Sequence, residues 1–125
     1  VRPHGITGRQ AESALRECGV TLNRNSLPFD PNGPWYTSGL RIGTPAVTTL
    51  GMQEAEMEEI ASIISLVLSH CAPAEGKNPG EKSKAKYILD DSVKTEAADR
   101  VRTLLARYPV YPELDLAYLK TAFPA

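Results

Sequence analysis

The sequence predicts an α/β fold, a small two-layer sandwich in which a short, mainly antiparallel sheet carries helices on one side. Three observations lead there. Apolar residues recur at helical steps in three separate stretches, two short runs rich in β-branched residues read as strands, and a turn-rich segment joins those runs. At 125 residues the chain suits a single domain, 1–125, with one modest core.

The first helix starts at a capping box. Thr7-Gly8-Arg9-Gln10 has the Thr-x-x-Gln form in which hydroxyl and amide satisfy each other's main-chain N–H groups. The helix is expected from Gly8 to about Cys18, with Ala11, Ala14, Leu15 and Cys18 inward, Glu12, Arg16 and Glu17 on other faces, and Gly19 as its stop. Val20-Thr21-Leu22-Asn23 alternates as a half-buried strand does. Asn25 to Pro34 is rich in Pro, Asp, Asn and Gly and reads as a functional loop. A second strand is expected from Trp35 or Thr37 to Ile42, a turn at Gly43-Thr44-Pro45, and renewed pairing from Ala46 to Thr49.

The second helix opens near Gly51-Met52, where Glu54, Glu56, Glu58 and Glu59 complement the positive end of the helix dipole. Met57, Ile60, Ala61, Ile64, Val67, Leu68 and Cys71 make its core face, widened by Ile63 and Leu66. Residues 72–86 combine Pro, Gly and four lysines and are expected to form a flexible surface loop; their lysines read as solvated, or as a polyanion contact. A third helix is expected from Asp91 or Ser92 until Pro109 stops it, with Val93, Ala97, Val101, Leu104, Leu105 and Tyr108 inward. Residues 109–125 read as an extended tail.

Composition narrows the function. A net charge of -1 with 23% charged residues gives no nucleic-acid footprint. No apolar run approaches the ~20 residues that cross a bilayer, and the expected setting is cytoplasmic. Cys18 and Cys71 read as buried free thiols, each in a helical segment, and neither pairs with His4 or His70 at metal-ligand spacing, so no metal site is expected. Val1-Arg2-Pro3-His4-Gly5 has no initiator Met, and the chain is expected to be a piece of a longer one.

Arg41 is the one charged residue from Ser38 to Met52. A guanidinium cannot shed its charge, and its planar fork matches a carboxylate or phosphate, so it is the candidate anchor of a small anionic substrate. The alternative is an arginine that reaches water or pairs with a neighbouring acid.

Four blocks in order carry a specific likeness: Gly8-x-x-Ala11-Glu12-x-x-Leu15, the run from Gly19 to Asp30, the run from Ser38 to Thr49, and Gly51-Met52. Together they closely resemble the C-terminal domain of serine hydroxymethyltransferase. The likeness is strong from Gly5 to about Leu68, while Lys82 to Leu116 resembles only the longer bacterial members.

The resemblance implies the small domain of a type I pyridoxal-phosphate transferase fold. It also implies the reversible conversion of serine and tetrahydrofolate to glycine and 5,10-methylenetetrahydrofolate. By the family pattern Arg41 binds the substrate α-carboxylate and Asn25 contacts the pteridine of the folate. An amide that both donates and accepts suits such a heterocycle; the alternative for Asn25 is a turn residue bonding its own loop. Trp35 and Tyr36 read as packing against a larger domain, or as stacking on a ligand. No residue here corresponds to the family's catalytic lysine, aspartate, histidine or glutamate, which lie in the preceding large domain. The chain alone is therefore expected to be inactive and to bind no cofactor covalently. The full enzyme is expected to be a homodimer or homotetramer. The competing readings are a free-standing amino-acid-binding or regulatory module and a purely structural domain. Leu50 stands where many relatives carry arginine.

Overall fold

The computed structural model describes residues 1–123. The elements run α1 (Gly8–Glu17), β1 (Asn23–Asn25), α2 (Gly33–Tyr36), β2 (Gly39–Arg41), α3 (Pro45–Thr49), α4 (Glu54–Ser69), β3 (Cys71–Glu75), β4 (Lys82–Leu89), α5 (Asp91–Ala106) and α6 (Leu116–Ala122). The architecture is α/β with short antiparallel strands, as the sequence predicts. The strands form two separate pairs, β1 with β2 and β3 with β4.

Helix α1 is the element both pairs share, and it also packs on α4, which in turn packs on α5. Its expected stripe of Ala11, Ala14, Leu15 and Cys18 is fully buried and meets Ile63, Val67 and Leu68 of α4, Cys71 and Ala97 in one core. The capping box forms: Gln10 Oε1 accepts from the Thr7 N–H at 2.9 Å, and Thr7 Oγ1 accepts from the Gln10 N–H at 3.2 Å. The same two side chains reach β4. Thr7 Oγ1 donates to the Lys84 carbonyl at 2.8 Å, and Gln10 Nε2 donates to the carbonyls of Ser83 and Lys86 at 2.7 and 2.6 Å.

That attachment overturns the flexible loop expected over 72–86. Residues 71–75 and 82–89 are strands, paired Cys71 with Leu89, Ala72 with Ile88, Pro73 with Tyr87 and Glu75 with Lys82, so only 76–81 form the connection. The lysines of β4 alternate with Ser83, Ala85, Tyr87 and Leu89, which turn inward and are half buried. A period of two was present beneath the charged composition.

Other expectations also shift. The first strand lies at Asn23–Asn25, past the alternating Val20–Asn23. The second is Gly39–Arg41, preceded by the short helix α2. Residues 45–49 are helical because Pro45, at the start of α3, is pre-set for the first helical turn, and the Thr49 hydroxyl donates back to the Pro45 carbonyl at 2.9 Å. Cys71 is in a strand, while Cys18 caps α1; both are buried free thiols. The tail is not wholly extended, because Asp115 Oδ1 accepts from the Ala117 and Tyr118 N–H groups at 3.0 Å and starts α6. Of the tail, Pro124 and Ala125 lie outside the described residues. No helix among the described residues is long and apolar enough to cross a membrane.

Candidate functional site

The β1–β2 pair brings the two sequence-predicted site residues together. Its register places Asn23 opposite Arg41, Arg24 opposite Leu40 and Asn25 opposite Gly39. Side chains alternate along a strand and directly opposed residues share a face, so Asn23, Asn25 and Arg41 belong to one face of the ribbon and Arg24 and Leu40 to the other. Burial agrees: Asn23, Asn25 and Arg41 are exposed, whereas Arg24 and Leu40 are half buried. Arg41 and Asn25 are diagonal neighbours on the open face, a relationship that sets Cα atoms roughly 7–8 Å apart.

Arg41 forms no ion pair with an acid among the described residues. Asn25 uses its amide N–H locally, donating to the Ser26 carbonyl at 2.8 Å, as a turn residue bonding its own loop does. Immediately after Arg41, Ile42, Gly43 and Thr44 help to line an apolar cleft of about 300 Å³ together with Met57, Ile60 and Leu104. Leu50, at the end of α3, is half buried.

Three devices hold the ribbon and its loop, and the sequence reading missed all of them. The first is Glu12. Its side chain is only 8% exposed, and it accepts from the Arg24 guanidinium at 2.6 Å and from the Arg24 main-chain N–H at 3.2 Å. Arg24 also lies over the Trp35 ring at 5.4 Å, and Arg9 stands over the same ring at 5.4 Å and over Tyr36 at 6.0 Å.

The second device is Asp30. Its carboxylate accepts the N–H groups of Leu27, Asn32 and Ser38 at 3.1, 3.0 and 2.7 Å, and the Ser38 hydroxyl at 2.6 Å. Burial opposes the charge, but the hydrogen bonds from Ser38, Leu27 and Asn32 outweigh it and bring the carboxyl from 3.8 down to about 2. One acid thereby closes the whole connection between β1 and β2.

The third is close backbone approach. A Cβ on Gly39 would lie 2.8 Å from the Asn25 carbonyl oxygen, so the position across from Asn25 has room only for hydrogen. Thr37, just before β2, holds φ 57 and ψ 171, a conformation costly for a β-branched residue; its carbonyl receives the Gly8 N–H at 3.0 Å. Glu12, expected on another face than the core stripe, is buried instead; its signal in the sequence was its place one position beyond Ala11, at the border of that stripe.

Comparison with known proteins decides the family. The model described as serine hydroxymethyltransferase matches residues 1–64, half of the chain. The chain belongs to the serine hydroxymethyltransferase family. It is 57% identical over 123 residues to the serine hydroxymethyltransferase of Treponema pallidum (strain Nichols), covering 98% of this chain and 21% of that protein. It is 50% identical over 116 residues to the Salinispora tropica serine hydroxymethyltransferase, covering 93% and 24%. Against the Chlamydia muridarum serine hydroxymethyltransferase the figures are 49% over 115 residues, 92% and 23%. The chain thus spans between a fifth and a quarter of the length of these curated relatives. Similarity to them runs beyond the family model, through the β3–β4 pair and α5.

Proposed function

We propose that this chain is the small C-terminal domain of a serine hydroxymethyltransferase and supplies the substrate-side half of its site. In this reading Arg41 grips the α-carboxylate of serine or glycine, and Asn25 contacts the pteridine of tetrahydrofolate. The reaction exchanges a one-carbon unit between serine and the folate, leaving glycine and 5,10-methylenetetrahydrofolate. The observation that carries it is the shared open face of Arg41 and Asn25, with the guanidinium unpaired among the described residues. A bidentate grip fixes the orientation of the amino acid, so that the bond to be broken at Cα is presented in one direction.

Pyridoxal phosphate, when bound, supplies the electron sink for that bond. The described residues do not fit it. No lysine stands on the β1–β2 ribbon; Lys82, Lys84 and Lys86 are exposed on β4, and Lys94 is paired with Glu17 at 2.7 Å. The cofactor belongs in this reading to a large domain elsewhere in the polypeptide, in a cytoplasmic homodimer or homotetramer.

The test is turnover by the full-length enzyme that contains this chain. It is expected to convert serine and tetrahydrofolate when loaded with pyridoxal phosphate, while the 125-residue chain under the same conditions does not. Turnover by the short chain, or none by the full-length enzyme, contradicts the proposal.

A further inference from the structure

We propose that Glu12 is a positioning residue of this site: through Arg24 it holds the Asn25 amide outward for the folate. The inference rests on the reading of Asn25 just given. A carboxylate as buried as that of Glu12 needs partners; the guanidinium and the main-chain N–H of Arg24 approach it most closely, at 2.6 and 3.2 Å, and the more exposed Arg16 of the same helix stands 3.5 Å from it.

Fastening the middle residue of β1 by its inward side decides where its neighbours go. With Arg24 turned to α1, Asn23 and Asn25 must face out; a slip of one residue would turn Asn25 toward the helix. β1 has three residues, too short a ladder to specify its own register firmly. Trp35 covers the guanidinium at 5.4 Å, so Arg24 is held by the carboxylate and by the ring.

Strand β2 has fasteners that do not involve Glu12. Ser38 is bound to Asp30 through its N–H and its hydroxyl, and the Thr37 carbonyl receives the Gly8 N–H. Loosening Glu12 therefore acts on Asn25 more than on Arg41, and the expected signature is a loss of folate affinity with amino-acid affinity retained.

The experiment uses the full-length enzyme with Glu12→Gln, nearly isosteric, and Arg24→Lys, which keeps the charge and the main-chain donor. Dissociation constants for tetrahydrofolate and for glycine are measured by titration calorimetry on each. The folate constant is expected to rise about tenfold in Glu12→Gln and less in Arg24→Lys, with glycine changing less than about twofold. Equal weakening of both ligands, or an unchanged folate constant in an enzyme that turns over serine, overturns the positioning role. A wild-type enzyme that binds no folate overturns the reading on which it rests, and the role of Glu12 with it.

Discussion

Ser38 gives both its main-chain N–H and its hydroxyl to the carboxylate of Asp30, at 2.7 and 2.6 Å. This pair ties the last residue before β2 to the middle of the loop that leaves β1, and it predicts how the site responds to acid. The Asp30 carboxyl lies at about 2 in the folded chain against an ordinary 3.8, so its contribution is complete above pH 3.8 and is lost as pH falls through about 2. The Ser38 and Asn32 amide resonances, followed by NMR from pH 6 downward, are expected to shift together with a midpoint near 2. A midpoint near 4 would show that the carboxylate is not held this way.

Gln10 predicts the fate of the β3–β4 pair. Its amide is fully buried and donates to the Ser83 and Lys86 carbonyls. Gln10→Ala strands both carbonyls and the Thr7 N–H, with an expected loss of about 3 kcal/mol in denaturant unfolding. A loss under about 0.5 kcal/mol would mean that the strand is held by other contacts.

Gly39 makes the ribbon a sensitive place for a single methyl. Gly39→Ala sets a Cβ 2.8 Å from the Asn25 carbonyl oxygen and equally close to Leu27 Cδ2, and the backbone must shift. Unfolding free energy is expected to drop by about 2 kcal/mol, with the Asn25 side of the ribbon showing the larger NMR shift changes.

The two thiols are expected to be inert while the chain is folded. Burial pushes the Cys71 thiol up to about 11, helped by Cys18 beside it, and burial likewise raises Cys18. At pH 8 a thiol reagent should react slowly with the native chain and with both cysteines promptly in denaturant. Fast native labelling would contradict their burial.

Helices α1, α4 and α5 were legible in the sequence because each carries an apolar stripe at helical period, although α4 begins at Glu54 behind a Gln53–Glu56 capping box and not at Gly51-Met52. The Thr7–Gln10 box and the Asp91 start stand where expected. The β3–β4 pair was hidden because the lysines of β4 outweigh its inward residues in any reading of composition, and its main anchor is a glutamine over 70 positions away. α3 was missed because Val47, Thr48 and Thr49 favour strands taken singly, while Pro45 sets the local geometry. At the site, Arg41 stood out as a lone charge and Asn25 through family likeness. Glu12 and Asp30 did not, since their meaning lies in partners that only the fold brings within reach.

In the proposed reading the Arg41 fork holds the substrate carboxylate. Steady-state serine turnover by the full-length enzyme with Arg41→Ala and Arg41→Lys, alongside the cofactor's absorbance, tests it most directly. Both variants are expected to lose about a hundredfold or more in kcat/KM for serine with the cofactor spectrum intact, since lysine keeps the charge without the fork. Wild-type kcat/KM in either variant would show that the fork does not hold the carboxylate.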